Sequence, residues 1–206
     1  MLWAVLKGEP GRCAGDIPMT KNVAPQGIPS QSSYFGSKLE VRAPIDGSLR
    51  SNYMAGECAH TKKEMNPWWR VDLKSKMVIQ SVAITNRLEC CRERINGAEL
   101  RVGDSKENGG IGNPRCGVVN RMNYGETLSF DCKGMEGQYV TITLPNREYL
   151  TLCEMQVFAY PAETQGNSST SPINYTRSAQ LGGGHSLHQG QILKEVWKLT
   201  KISVPN

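Results

Sequence analysis

The chain has 206 residues, 38% of them hydrophobic, and a formal net charge of +5. That length suits one domain of ordinary size with tails. The positive excess is spread along the chain, +1 over residues 1–21, +2 over 22–160 and +2 over 161–206, so no basic stripe marks a nucleic-acid partner, and no run approaches the ~18 apolar residues that insertion across a membrane needs.

Residues 1–21 show no periodicity and carry Gly8, Pro10, Gly11 and Pro18, which predicts an irregular N-terminal lead. The apolar stretch Met1–Leu6 is shorter than the ~7–15 residues of a signal-peptide core, and Lys7 interrupts it. A truncated or mis-assigned start is the expectation, on a protein that is otherwise secreted and extracellular.

From residue 22 to 160 the pattern is β. Trp69, Val71 and Leu73 alternate with Arg70 and Asp72; Val82 and Ile84 alternate with Ser81 and Thr85; Val140, Ile142 and Leu144 alternate with Thr141 and Thr143. Period-two patterning of this kind predicts half-buried antiparallel strands. Shorter strands are expected near Ala98–Gly103, Thr127–Cys132 and Leu150–Tyr160, separated by turn clusters such as Gly109–Pro114. No long helix and no internal repeat is visible. The predicted class is all-β, an antiparallel β-sandwich.

Residues 161–206 read as a linker-like, mostly disordered tail, with Gly182-Gly183-Gly184 and two glycosylation sequons, at Asn167 and Asn174. Ile192, Leu193, Val196 and Trp197 have the spacing of an amphipathic turn or two.

Of the seven cysteines, six (Cys58, Cys90, Cys91, Cys116, Cys132 and Cys153) lie in the β region, and Cys13 stands outside it. An even number there predicts a disulfide framework in an oxidising compartment. Zinc competes, but Cys58-x-His60 has no matching second pair. One arrangement joins Cys58 to Cys153 and Cys116 to Cys132, which leaves the adjacent Cys90 and Cys91 to each other. Their Cα atoms stand about 3.8 Å apart, below the ~4.4 Å that ordinary disulfides prefer. On spacing alone, separate partners for Cys90 and Cys91 are the better reading, and the choice among pairings stays open.

Arg87 and Arg94 bracket that cysteine pair, with His60 upstream. Two arginines so placed need something to accept their hydrogen bonds, which predicts a small polar-ligand site. Here the chain resembles the F-type lectins, or fucolectins, within the discoidin-like sandwiches, over residues 22–160. The likeness rests on Ile45-Asp46-Gly47 with Ser51-Asn52-Tyr53, on Asn66–Leu73, on Ile84–Arg87 through Cys90-Cys91 to Glu99, and on Leu150–Glu154. The family's sugar motif is His, 26 residues, Arg, one residue, Asp, four residues, Arg or Lys. His60, Arg87, Glu89 and Arg94 keep that spacing in full, with Glu89 in the Asp position.

The resemblance implies a discoidin-like jelly roll with disulfides Cys58–Cys153, Cys90–Cys91 and Cys116–Cys132. It also implies non-catalytic binding of terminal L-fucose on fucosylated glycans. Arg87 and Arg94 would donate charged hydrogen bonds to the sugar. His60 would bond a hydroxyl through whichever nitrogen carries its proton. Glu89 would lie between the guanidiniums, and the Cys90–Cys91 bridge would receive the apolar sugar face. Tyr53 and Met54 would line a slot for the methyl. The loop Tyr34–Arg42, which borders the sugar in this family, is short here.

Structural calcium is implied as well, with carboxylates from Asp46 and Glu154 and carbonyls from around Ala43, Ser48, Glu57 and Cys153. A homo-oligomer, a trimer by analogy, and a part in innate recognition complete the expectation. A discoidin-like protein- or membrane-binding module with a degenerate sugar site is the alternative.

Overall fold

The computed structural model describes residues 19–162. Most of the N-terminal lead, the tail beyond residue 162 with both sequons and the Ile192–Trp197 stretch, and Cys13 lie outside the described residues.

Eleven strands follow in chain order: β1 Lys21–Asn22, β2 Ile28–Gln31, β3 Ala59–His60, β4 Glu64–Met65, β5 Trp68–Thr85, β6 Glu99–Gly103, β7 Arg115–Val118, β8 Thr127–Thr143, β9 Arg147–Glu148, β10 Thr151–Leu152 and β11 Glu154–Pro161. Every pairing among them is antiparallel. The architecture is the all-β sandwich that the alternation predicts.

Where separate short strands are expected, β5 and β8 each run unbroken through two of them. Both bend midway, where the register shifts between Asp72 and Met77. Lys74 takes a left-handed φ of 69° there, and its N–H donates to Asp72 Oδ1 at 2.7 Å. A side chain at Gly137, on the facing strand, would collide with the Gly103 backbone. Beyond the bend each half joins a different layer. Residues 68–72 and 139–143 pair with β2 and β6, while residues 77–85 pair with β11 and 127–137.

One buried cluster fills the space between the layers. It contains Trp69, Val71, Leu100, Val102, Val140 and Ile142 from one layer and Val82, Ile84, Met155 and Val157 from the other. The expected polar face is partly closed over. Thr85, Thr141 and Thr143 are all buried. Their hydroxyls find partners in Thr127 Oγ1, the Gly109 carbonyl and the Pro67 carbonyl. Threonine combines strand propensity with a hydroxyl that can be satisfied, so it fits a strand covered on both faces.

The disulfides are Cys58–Cys153, Cys90–Cys91 and Cys116–Cys132. Separate partners for Cys90 and Cys91, the reading from spacing, is therefore overturned. Cys58 is bonded to Cys153, so it offers no thiolate to zinc. Cys116–Cys132 fastens β7, in the first layer, to the half of β8 in the second.

Candidate functional site

His60 stands in β3, whose partner β10 sets Thr151 opposite it. Arg87 follows the end of β5, and Arg94 lies in the 3-10 turn Arg92–Ile95, which Cys91 opens with a left-handed φ of 58°. These segments meet. Arg94 Nη1 reaches to 3.4 Å from His60 Nε2, and Tyr53 links Arg87 to His60, its ring 4.7 Å from the Arg87 guanidinium carbon and 4.9 Å from the imidazole. His60, Arg87 and Arg94, three of the four residues that keep the motif spacing, form one cluster.

His60 is only 3% exposed. Its Nδ1 lies 2.7 Å from the Thr61 carbonyl oxygen. A carbonyl can only accept, so Nδ1 carries the proton and Nε2 presents a lone pair to the site. The expectation of a hydroxyl bonded through the protonated nitrogen is corrected accordingly: the site-facing nitrogen accepts. Burial chiefly, and the charges of Arg94 and Arg87, push the imidazole pKa below its usual 6.5, although the bond to Thr61 opposes them.

Glu89 departs from its expected place. Its Oε1 accepts from Arg87 Nε and Nη2, each at 2.7 Å, and it forms no ion pair with Arg94. It therefore fixes one guanidinium and does not sit between two. Burial, the largest single influence, raises its pKa, but the hydrogen bond and charge of Arg87 together with backbone amide hydrogen bonds outweigh it and hold the carboxyl below its ordinary value.

Aromatic rings that sequence reading passed over surround the imidazole. Phe35 stacks on His60 at 4.5 Å, and Tyr149 sets its edge against it at 5.4 Å. Phe35 comes from the short loop before the 3-10 helix Lys38–Ile45, which a Ser37–Glu40 capping box starts. The Phe35 N–H and the Gln31 side-chain amide both donate to the His60 carbonyl, which pins that loop over the ring. No periodic signal marks Phe35 or Tyr149. The local cues are that Phe35 lies in the Tyr34–Arg42 loop and that Tyr149 immediately precedes the Leu150–Glu154 run. Of the pair expected to line a methyl slot, Tyr53 contacts the cluster, whereas Met54 is 79% exposed at the rim.

Glu154 opens β11 with 0% exposure, and neither carboxylate oxygen has a hydrogen-bond partner. Burial first, then the charge of Asp46, push its pKa up to about 8; the Gly47 amide lowers it somewhat without a bond of normal geometry. Asp46 Oδ1 accepts from the Ser48 N–H at 2.7 Å, and the Asp46 N–H donates to the Ala43 carbonyl at 3.2 Å. The Glu57 carboxylate is taken up by Arg50 and the Asn52 N–H, so only its carbonyl is free for a metal. Among the described residues no three His, Cys, Asp or Glu side chains gather as a metal cluster. Two neighbouring carboxylates, one of them orphaned and buried, are oxygen donors of the kind a hard cation such as calcium takes.

A model of the NedA-like, galactose-binding domain matches residues 44–142. The chain is 65% identical over 151 residues to the pentraxin fusion protein of Xenopus laevis, a match covering 73% of this chain and 36% of that relative. It is 46% identical over 154 residues to fucolectin-1 of Anguilla japonica, covering 71% of this chain and 86% of that one. The crystal structure of an F-type lectin (fucolectin) from striped bass (Morone saxatilis) serum superposes with a TM-score of 0.66 at 44% identity, covering 69% of this chain and 48% of that chain. The chain thus spans about a third of the frog relative and about half of the bass lectin chain. With this identity across most of a fucolectin's length, and the same fold, the chain belongs to the fucolectin family.

Proposed function

We propose that this chain is a non-catalytic lectin that takes the terminal L-fucose of a glycan into the His60–Arg87–Arg94 cluster. The observation that carries the reading is the convergence of two guanidiniums and an imidazole lone pair within a ring of aromatic faces. Sugar hydroxyls both donate and accept. The arginines give charged hydrogen bonds to ring and hydroxyl oxygens, and His60 Nε2 accepts a hydroxyl proton. The Cys90–Cys91 bridge and the rings of Tyr53 and Phe35 offer soft surface to the C–H face and the methyl. The names of the fucolectin relatives support the choice of sugar.

Calcium bound by Asp46 and Glu154 would hold the loop after the 3-10 helix against β11, away from the sugar. We extend the reading to a secreted protein that recognises foreign or altered glycans. It would act as a homo-oligomer, a trimer by family analogy, because one modest site per chain gains avidity only when sites are linked.

The test is calorimetric titration of the refolded full chain with L-fucose in calcium, with D-galactose as control. Saturable, fucose-preferring binding that Arg94→Ala abolishes without unfolding the protein is expected. A flat titration on folded protein would sink the reading. A discoidin-like protein- or membrane-binding module would then move first. Its supporting observation is the exposed apolar rim of Phe35, Leu39 and Met54, which are 56%, 86% and 79% exposed.

A further inference from the structure

The two site arginines are held by different means. Arg87 commits Nε and Nη2 to Glu89. Arg94 has no carboxylate partner among the described residues, and its contact with His60 Nε2, at 3.4 Å, is long for a hydrogen bond. A guanidinium held only by that contact would sample many rotamers, and ordering it on ligand binding would cost affinity. One further group touches it. The Arg94 guanidinium carbon lies 4.6 Å from the centroid of the Tyr149 ring. That ring also meets the His60 imidazole edge-on and stands perpendicular to Phe35 at 5.8 Å.

The backbone fixes the ring in this place. Leu150 N–H donates to Thr61 Oγ1, Thr61 N–H donates to the Leu150 carbonyl, and Thr151 pairs with His60. The strand pairing that presents His60 therefore presents Tyr149 beside it.

We propose that Tyr149 is the positioning residue of the sugar site, its ring face orienting Arg94 for the ligand. The inference rests on the lectin reading above and deepens it. A carboxylate in the same role would occupy the guanidinium's N–H groups, as Glu89 does on Arg87. An aromatic face attracts the cation through its quadrupole and occupies none of them. Arg94 thus stays oriented with its donors free, which makes it the principal donor to the sugar, while Arg87 is the more fully committed of the two.

The experiment uses the full chain with Tyr149→Phe, Tyr149→Trp and Tyr149→Leu. L-fucose binding is titrated by calorimetry. In parallel, the Arg94 Nε–H resonance, assigned with Arg94→Lys, is followed without sugar. Tyr149→Leu is expected to weaken binding about ten-fold and to move the Arg94 resonance toward that of a free arginine. Tyr149→Phe and Tyr149→Trp are expected to keep both. Native-like affinity in Tyr149→Leu, a Tyr149→Phe variant as weak as Tyr149→Leu, or an unmoved Arg94 resonance would each overturn the proposal. If Tyr149→Leu does not fold, the native protein decides: an Arg94 resonance without ring-current displacement overturns the proposal, and a displaced one supports it. If the native chain ignores L-fucose, the lectin reading fails, while the resonance still reports whether Tyr149 orients Arg94.

Discussion

Thr61 sets the tautomer of its neighbour His60: its carbonyl oxygen, 2.7 Å from Nδ1, leaves Nε2 as the acceptor facing Arg94. A backbone group just past β3 thereby decides what chemistry the imidazole offers to a ligand. Protonating Nε2 would replace that lone pair with a charge beside two guanidiniums.

The pH dependence follows with a definite sign. The pKa of His60 is lowered in the fold, by burial first, so between that lowered value and 6.5 the unfolded chain binds more protons than the folded one. Stability from this group is present above 6.5 and is lost as pH falls through the folded pKa. Glu154, whose folded pKa is raised to about 8, acts with the opposite sign over the same range, so the His60→Gln variant isolates the histidine: from pH 7.5 down to 5 the native thermal midpoint should fall relative to that of His60→Gln, and sugar affinity should fall as well. A native midpoint that does not fall relative to that of His60→Gln on acidification would contradict the assignment.

Removing the Glu89 carboxylate should free Arg87. Glu89→Ala is expected to weaken L-fucose binding by about 1.5–3 kcal/mol, the scale of a charge-assisted hydrogen bond, measured by calorimetry. Its thermal midpoint should fall as well, because the Arg87 side chain left without its carboxylate is only 9% exposed. Unchanged affinity would show that Arg87 needs no anchor.

Calcium should stabilise the chain through Glu154. At a hundred times its dissociation constant, the ion adds about 2.7 kcal/mol, or roughly 5–10 °C for a chain of this size. Asp46→Asn and Glu154→Gln should each remove most of that rise in scanning calorimetry. A rise that persists in both variants would place the ion elsewhere.

The Cys58–Cys153 bridge spans 95 residues. On the chain-entropy model it contributes about 4–5 kcal/mol, so the double variant Cys58→Ala/Cys153→Ala should melt roughly 10–15 °C lower. The bridge ends two residues before His60 and one before Glu154, so calcium stabilisation should weaken in the same variant. A midpoint within about 3 °C of the native value would refute the entropic estimate.

Much of the β framework is legible in the sequence because burial imposes period two on a strand. Trp69–Leu73 and Val140–Leu144 show it directly. What misleads is local continuity. The pattern breaks at Asp72–Met77, and a break reads as two strands, whereas the structure bends one strand around a left-handed Lys74. Alternation is equally silent about the second face of Thr141 and Thr143, which is covered by a loop more than thirty residues away in the case of Thr141.

Residue spacing by itself determined three things here: an all-β chain, an even cysteine set, and a His–Arg–Arg triplet matching a known motif, because each is a property of order along the chain. Tertiary structure alone decided the rest. It turned Glu89 to Arg87 only, directed the His60 proton to Thr61, and brought Phe35 and Tyr149 around the imidazole from positions 25 and 89 residues away. Those outcomes depend on distances across strand pairs and loops. Chain order does not encode such distances, since the contacts form only when β3 meets β10 and the turn after β5 folds back over them.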